Sequence, residues 1–174
     1  MNGFLEEIEA ARGLAAVAQI GLGFTGFIAI VVALSGNPRD WAPIDRLRVA
    51  SMLSGSLATM FFALLPFAVV HVGVAPEPTF RLASGLLAAF LVASAGYVFS
   101  RRERREFVPH GVVTRRIVAL TTSMRAIVVA LEVANAGGAF GTAAIGIFFF
   151  GLMWLLAECG FLLVRLLFVR PTPD

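Results

Sequence analysis

Residues 112–135, VVTRRIVALTTSMRAIVVALEVAN, are followed by Ala136-Gly-Gly138 and then by residues 139–168, AFGTAAIGIFFFGLMWLLAECGFLLVRLLF. Whether the first of these runs crosses a membrane or lies on its surface decides the fold, because it sets the number of spans at five or four. Both runs exceed the roughly 20 apolar residues that a spanning helix needs. Both also hold ionisable side chains in their interior, namely Arg125, Glu132 and Glu158. An ionisable group at that depth is costly, which makes each one a candidate functional residue. Arg125 and Glu132 are seven residues apart, so they share a helix face about 10 Å apart along the axis, and Glu158 and Arg165 repeat the spacing. By helical rise Arg125 lies about 13 Å in from Arg116 and Glu158 about 10 Å in from Arg165, so their depths nearly coincide. Two antiparallel helices joined by Asn135-Ala-Gly-Gly138 would let Arg125 reach Glu158 and neutralise both. Glu132 has no partner at its own depth, and the sequence points to it as a mouth residue or as a carboxyl held in its protonated form.

The rest of the composition agrees with a membrane reading. The 174 residues are 59% hydrophobic and 14% charged, with a mean hydropathy of +0.88, against about a quarter charged in soluble domains. The expected fold is therefore an all-α integral membrane protein, a single bundle over residues 1–174 with no room for a soluble domain. All 14 basic residues are Arg, so lysine Schiff-base chemistry, retinal attachment included, is excluded. Cys159 is the lone cysteine, and it reads as a small apolar filler. The arginines cluster between spans, which makes them topology signals rather than a nucleic-acid footprint.

Working outward from the final hairpin, the spans are expected at about 13–34, 49–72, 79–99, 112–135 and 140–168. Phe4, Leu5 and Ile8 alternate helically with Glu6, Glu7 and Glu9, which predicts a short amphipathic lead-in at the surface. No basic n-region precedes it, so the segment is expected to be retained. Gly21, Gly23 and Gly26 match a dinucleotide-binding spacing, but that motif needs a strand before it and this run has none. Helix contact is the better reading, along Ala18, Leu22 and Gly26 or along Ala15, Gln19 and Gly23. Asp45 is a candidate acidic cap for the second helix, and Ser51, Gly55 and Thr59 offer it a small face. Pro66 predicts a bend. In the third span Gly85, Ala89 and Ala93 repeat the small-residue spacing, and Tyr97 marks an interface. His71 and His110 fall near opposite ends of the spans, which argues against a bis-histidine haem, and no cofactor is expected.

Charge predicts the orientation. With five spans, Arg39, Arg46, Arg48, Arg101, Arg102, Arg104, Arg105, Arg115, Arg116, Arg165 and Arg170 lie on one side, and only Arg12 and Arg81 lie on the other. The positive-inside rule then puts the N-terminus outside and the C-terminus in the cytoplasm. Four spans would move Arg165 and Arg170 across and blur that division. Arg101, Arg102, Arg104, Arg105, Arg115 and Arg116 are candidate contacts for anionic lipid head groups. Exclusive use of Arg hints at a GC-rich bacterial genome and hence an inner (plasma) membrane.

Three function classes follow. Small-residue faces and intramembrane charges favour a homo-oligomer that forms an ion- or small-solute-conducting path, channel-like in character, with Arg125, Glu132 and Glu158 meeting the ion. A non-catalytic accessory or scaffold subunit of a larger membrane complex is the alternative. An enzyme is not expected, since no paired-aspartate metal motif, His/Cys cluster or Gly-x-Ser-x-Gly elbow occurs.

Overall fold

The computed structural model describes residues 2–34, 41–102 and 112–168. They form five long helices: α1 Asn2–Leu34, α2 Pro43–His71, α3 Pro76–Arg102, α4 Val112–Ala136 and α5 Ala144–Phe168. No strand occurs among them. Each helix is long and apolar enough to cross a membrane, including Arg116–Ala136 of α4, which suggests a multi-pass membrane protein. His110, Arg104, Arg105, Arg39 and Arg170 lie outside the described residues.

Local chemistry explains the helix ends. Pro43 opens α2 at a position where its missing N–H is no loss and its fixed φ suits the helix. Asp45 does not cap a backbone group as expected. Ala42 holds the cap position, and Asp45 sits in the first turn, where its Oδ1 accepts from Arg48 Nη1 at 2.8 Å. The helix runs unbroken through Pro66, which is buried. α4 ends at a left-handed residue, Gly138 with φ 82°, where the Ala139 N–H reaches Ala134 O at 3.0 Å. A single 3-10 turn, Gly141–Ala143, then leads into α5. The N-terminal lead-in is not a separate element, for α1 is continuous from Asn2. Hydroxyls inside the helices turn back on their own chain: Thr25 on Gly21 O, Thr59 on Gly55 O and Thr121 on Ile117 O.

The helices pack as α1 on α2, α2 on α5 and α3 on α4, with α5 touching every other helix. The core is formed by Leu14, Val17, Phe62, Phe80, Leu87, Leu91, Val128, Phe148, Leu152 and Leu155. Phe80 and Phe148 meet edge to face at 5.8 Å between centroids. The perimeter is apolar too, with Leu22, Ile30, Phe61, Val92, Leu120 and Val133 all more than half exposed. A bundle apolar both inside and out has no polar face to offer water.

The α1 contact line differs from both expected lines. The buried positions are Leu14, Val17, Ala18, Gly21 and Ile28, whereas Ala15, Gln19, Leu22, Gly23 and Gly26 face outward. Gly21 is the reason. Its Cα comes so close to α2 that an added Cβ would lie 2.9 Å from Ser56 O and 3.2 Å from Met60 N, while Gly23 and Gly26 meet nothing within 4 Å. Spacing alone could not choose among three glycines on different faces. Likewise Ala89 and Ala93 of α3 are exposed, and Ala83, Ser84, Leu87 and Leu91 make its packed line.

Candidate functional site

Three helices share one seam. On α3 the inward positions are Ser84, Leu87, Leu91 and Ser94, and on α4 they are Arg125, Val128, Glu132 and Asn135. Each set steps by three, four and three residues, so both trace one face of a 3.6-residue helix. Because α3 and α4 run antiparallel, the sets pair in register as successive layers: Ser94 with Arg125, Leu91 with Val128, Leu87 with Glu132, and Ser84 with Asn135. α5 sets Glu158 against the first layer, Gly151 against the third and the Ala144 carbonyl against the fourth, with Leu155 in the core shared with Leu91 and Val128.

The first layer is the ion pair that helix depth predicts. Arg125 Nε donates to Glu158 Oε1 at 3.0 Å, its Nη2 donates to Glu158 Oε2, and its Nη1 reaches Ser94 Oγ at 3.3 Å. This is a two-pronged guanidinium–carboxylate contact, the strongest arrangement available to such a pair. Only about a fifth of each side chain is open, 21% for Arg125 and 16% for Glu158. The second layer is apolar: Leu91 and Val128 are fully buried and Leu155 is 2% exposed. It seals the first layer from the third.

The third layer holds Glu132. Its side chain is fully buried, and among the described residues neither Oε1 nor Oε2 has a hydrogen-bond partner. Gly151 makes room for it, since a Cβ there would run into Glu132 Oε1 and come within 2.9 Å of Leu87 Cδ2. In the fourth layer Asn135 Nδ2 donates both to Ser84 Oγ and to Ala144 O, each at 2.8 Å. Ala144 O can only accept, so these two bonds fix which way the amide faces. They leave Asn135 Oδ1 buried and without a donor. Ser84 Oγ lies beside the Glu132 carboxyl without completing a hydrogen bond to it. Above this layer the Arg81 guanidinium packs over Gly138, while its Nη2 donates to Glu77 at 2.6 Å.

The structure thus brings Arg125 and Glu158 together and places Glu132 apart from them, inside the seam rather than at an opening. Ser84, Asn135 and Gly151 complete the site and were not singled out by sequence. The available signal was that Asn135 stands on the face of Arg125 and Glu132, and Ser84 and Gly151 carry none by themselves. Of the candidate head-group arginines, Arg101, Arg102, Arg115 and Arg116 fall where α3 ends and α4 begins, and Arg116 is exposed. Among the described residues no cluster of three or more His, Cys, Asp or Glu side chains could hold a metal ion. Cys159 is buried in the α2–α5 contact, with its Sγ 3.5 Å from Met52 O. No protein-family model, curated protein or solved structure is detectably similar to the chain.

Proposed function

We propose that the chain is an integral protein of a bacterial inner membrane, with its N-terminus outside, that assembles as a homo-oligomer and carries ions across the bilayer with Glu132 as the group that meets them. The observation that carries this reading is the state of Glu132, a fully buried carboxyl with no donor on either oxygen and a glycine facing it across the seam. Stability alone does not account for such a group, because burying a polar head without partners costs a few kcal/mol. An odd number of spans supports the orientation, since it is the count that keeps the arginines on one side. Gly23 and Gly26 of α1 and Gly146 of α5 are open on the outer surface, where a second copy's helix could approach closely.

With Glu132, Ser84 and Asn135 all fully buried, this is a closed form, and passage of an ion past Glu132 needs α3, α4 and α5 to part around Leu91, Val128 and Leu155. The accessory-subunit reading is weaker, because Arg125 and Glu158 satisfy each other and need no partner's charge.

Purified protein in liposomes tests the proposal. Proton or sodium flux that falls at least tenfold in Glu132→Gln supports it. Absence of flux, or flux indifferent to both Glu132→Gln and Arg125→Ala, overturns the conducting role. A periplasmic reporter fused after Asp174 overturns the orientation, and a monomeric mass for the purified particle overturns the assembly.

A further inference from the structure

The unpartnered oxygens toward the Arg81 end of the seam belong to residues three apart on α4, and their number and kind restrict what they can bind. Glu132 and Asn135 are one turn apart on α4, so their side chains are neighbours. Ser84 ties them to α3 through its contact with both. Glu132 Oε1, Glu132 Oε2 and Asn135 Oδ1 are all acceptors, all buried, and all without a donor among the described residues. The amide cannot relieve this by turning over, because its nitrogen is committed to Ser84 Oγ and Ala144 O. Gly151 removes the one Cβ that would crowd the carboxyl.

We propose that Glu132, Asn135 and Ser84 form a binding site for a dehydrated monovalent cation of the size of sodium. The proposal rests on the reading of Glu132 as the ion-meeting group and specifies the ion. The charge argument is direct. One carboxylate cancels one positive charge, whereas a divalent ion would keep an uncompensated charge in an apolar seam. The Arg125–Glu158 pair, which is internally neutral and two layers away, adds no net charge. The coordination argument is equally specific. A proton on Glu132 still leaves the other carboxyl oxygen and Asn135 Oδ1 to be met, with the Ser84 O–H as a further donor beside the carboxyl. A small cation is ligated by carboxylate, amide and hydroxyl oxygens at once, the hard oxygen donors that such ions prefer. Ser84 Oγ fits this role because it can turn a lone pair to the ion while still accepting from Asn135.

The test uses the full chain in lipid nanodiscs and a hydrophobic carbodiimide, which modifies the protonated form of buried carboxyls. Mass spectrometry reads the labelling rate at Glu132 in sodium chloride and in choline chloride at one pH and ionic strength. At a sodium concentration ten times the dissociation constant, mass action predicts labelling about tenfold slower than in choline. Asn135→Leu and Ser84→Ala raise the sodium concentration needed for protection, each judged against that variant's own rate in choline. Equal rates in the two salts overturn the proposal and assign the oxygens to a proton or a water. Should Glu132 resist labelling in both salts, thermal unfolding decides: sodium stabilises the wild type over choline and does nothing for Glu132→Gln, and the absence of a sodium-specific shift overturns the proposal. Proton flux in liposomes alongside sodium-indifferent labelling rejects this inference but leaves the conducting role standing. Sodium protection without flux does the reverse.

Discussion

Replacing Arg125 and Glu158 singly and together by methionine separates a structural pair from two independent charges. In Glu158→Met the guanidinium keeps only the 3.3 Å contact to Ser94, and in Arg125→Met the Glu158 carboxylate loses both of its donors. Removing one partner of a buried pair costs about 3–5 kcal/mol because the other charge is left uncompensated, whereas replacing both by apolar residues of similar volume is often near neutral. Here the side chains are 21% and 16% open, so part of that penalty is relieved by the surroundings. We expect about 2–3 kcal/mol for each single variant, a shift of about 30- to 150-fold in the folded-to-unfolded ratio. The double variant should lie within about 1 kcal/mol of wild type, which gives a coupling energy of about 3 kcal/mol or more. Equilibrium unfolding in mixed micelles, followed by tryptophan fluorescence, measures all four proteins. A double variant that loses the sum of the two single losses, leaving a coupling below about 0.5 kcal/mol, would refute the argument that the charges are there for each other.

Two glycine substitutions test the packing. Gly151→Ala drives a Cβ into the Glu132 carboxyl and toward Leu87, at an expected cost of about 1–3 kcal/mol. The same change should cost clearly less in a Glu132→Ala background, and an equal cost in both would mean that the glycine does not serve the carboxyl. Gly21→Ala should destabilise by about 2 kcal/mol, because the new methyl meets Ser56 O and Met60 N, backbone atoms that cannot rotate away. Gly23→Ala and Gly26→Ala meet open space and should be neutral or stabilising by up to about 1 kcal/mol through helix propensity. Unfolding midpoints that rank the three alike would contradict the assigned α1 face.

Much of this protein can be read along a single helix at a time. Apolar run lengths place five helices, and the seven-residue steps from Arg125 to Glu132 and from Glu158 to Arg165 put charges at definite depths. Because rise per residue is fixed, equal depth on two antiparallel neighbours was enough to anticipate the Arg125–Glu158 pair. Helix starts and stops were legible only within a few residues: Pro43 begins α2 ahead of the expected position, and the 3-10 turn Gly141–Ala143 delays α5.

Only the tertiary structure decided which face of each helix turns inward. In a chain apolar on every side the hydrophobic pattern has no polar face to measure against, so small residues at several registers looked equally fit for contact. The choice of Gly21 over Gly23 and Gly26 is made by the backbone of α2, atoms that carry no signature in the α1 sequence. The site at Glu132 has the same origin. Sequence marked the carboxyl as expensive, but its expense is set by what surrounds it: an apolar layer beneath, a glycine opposite, a serine that accepts from Asn135, and an asparagine amide whose donors are committed to Ser84 and Ala144. Those neighbours come from three helices brought into register, and register between helices is a property of their packing rather than of any one of them.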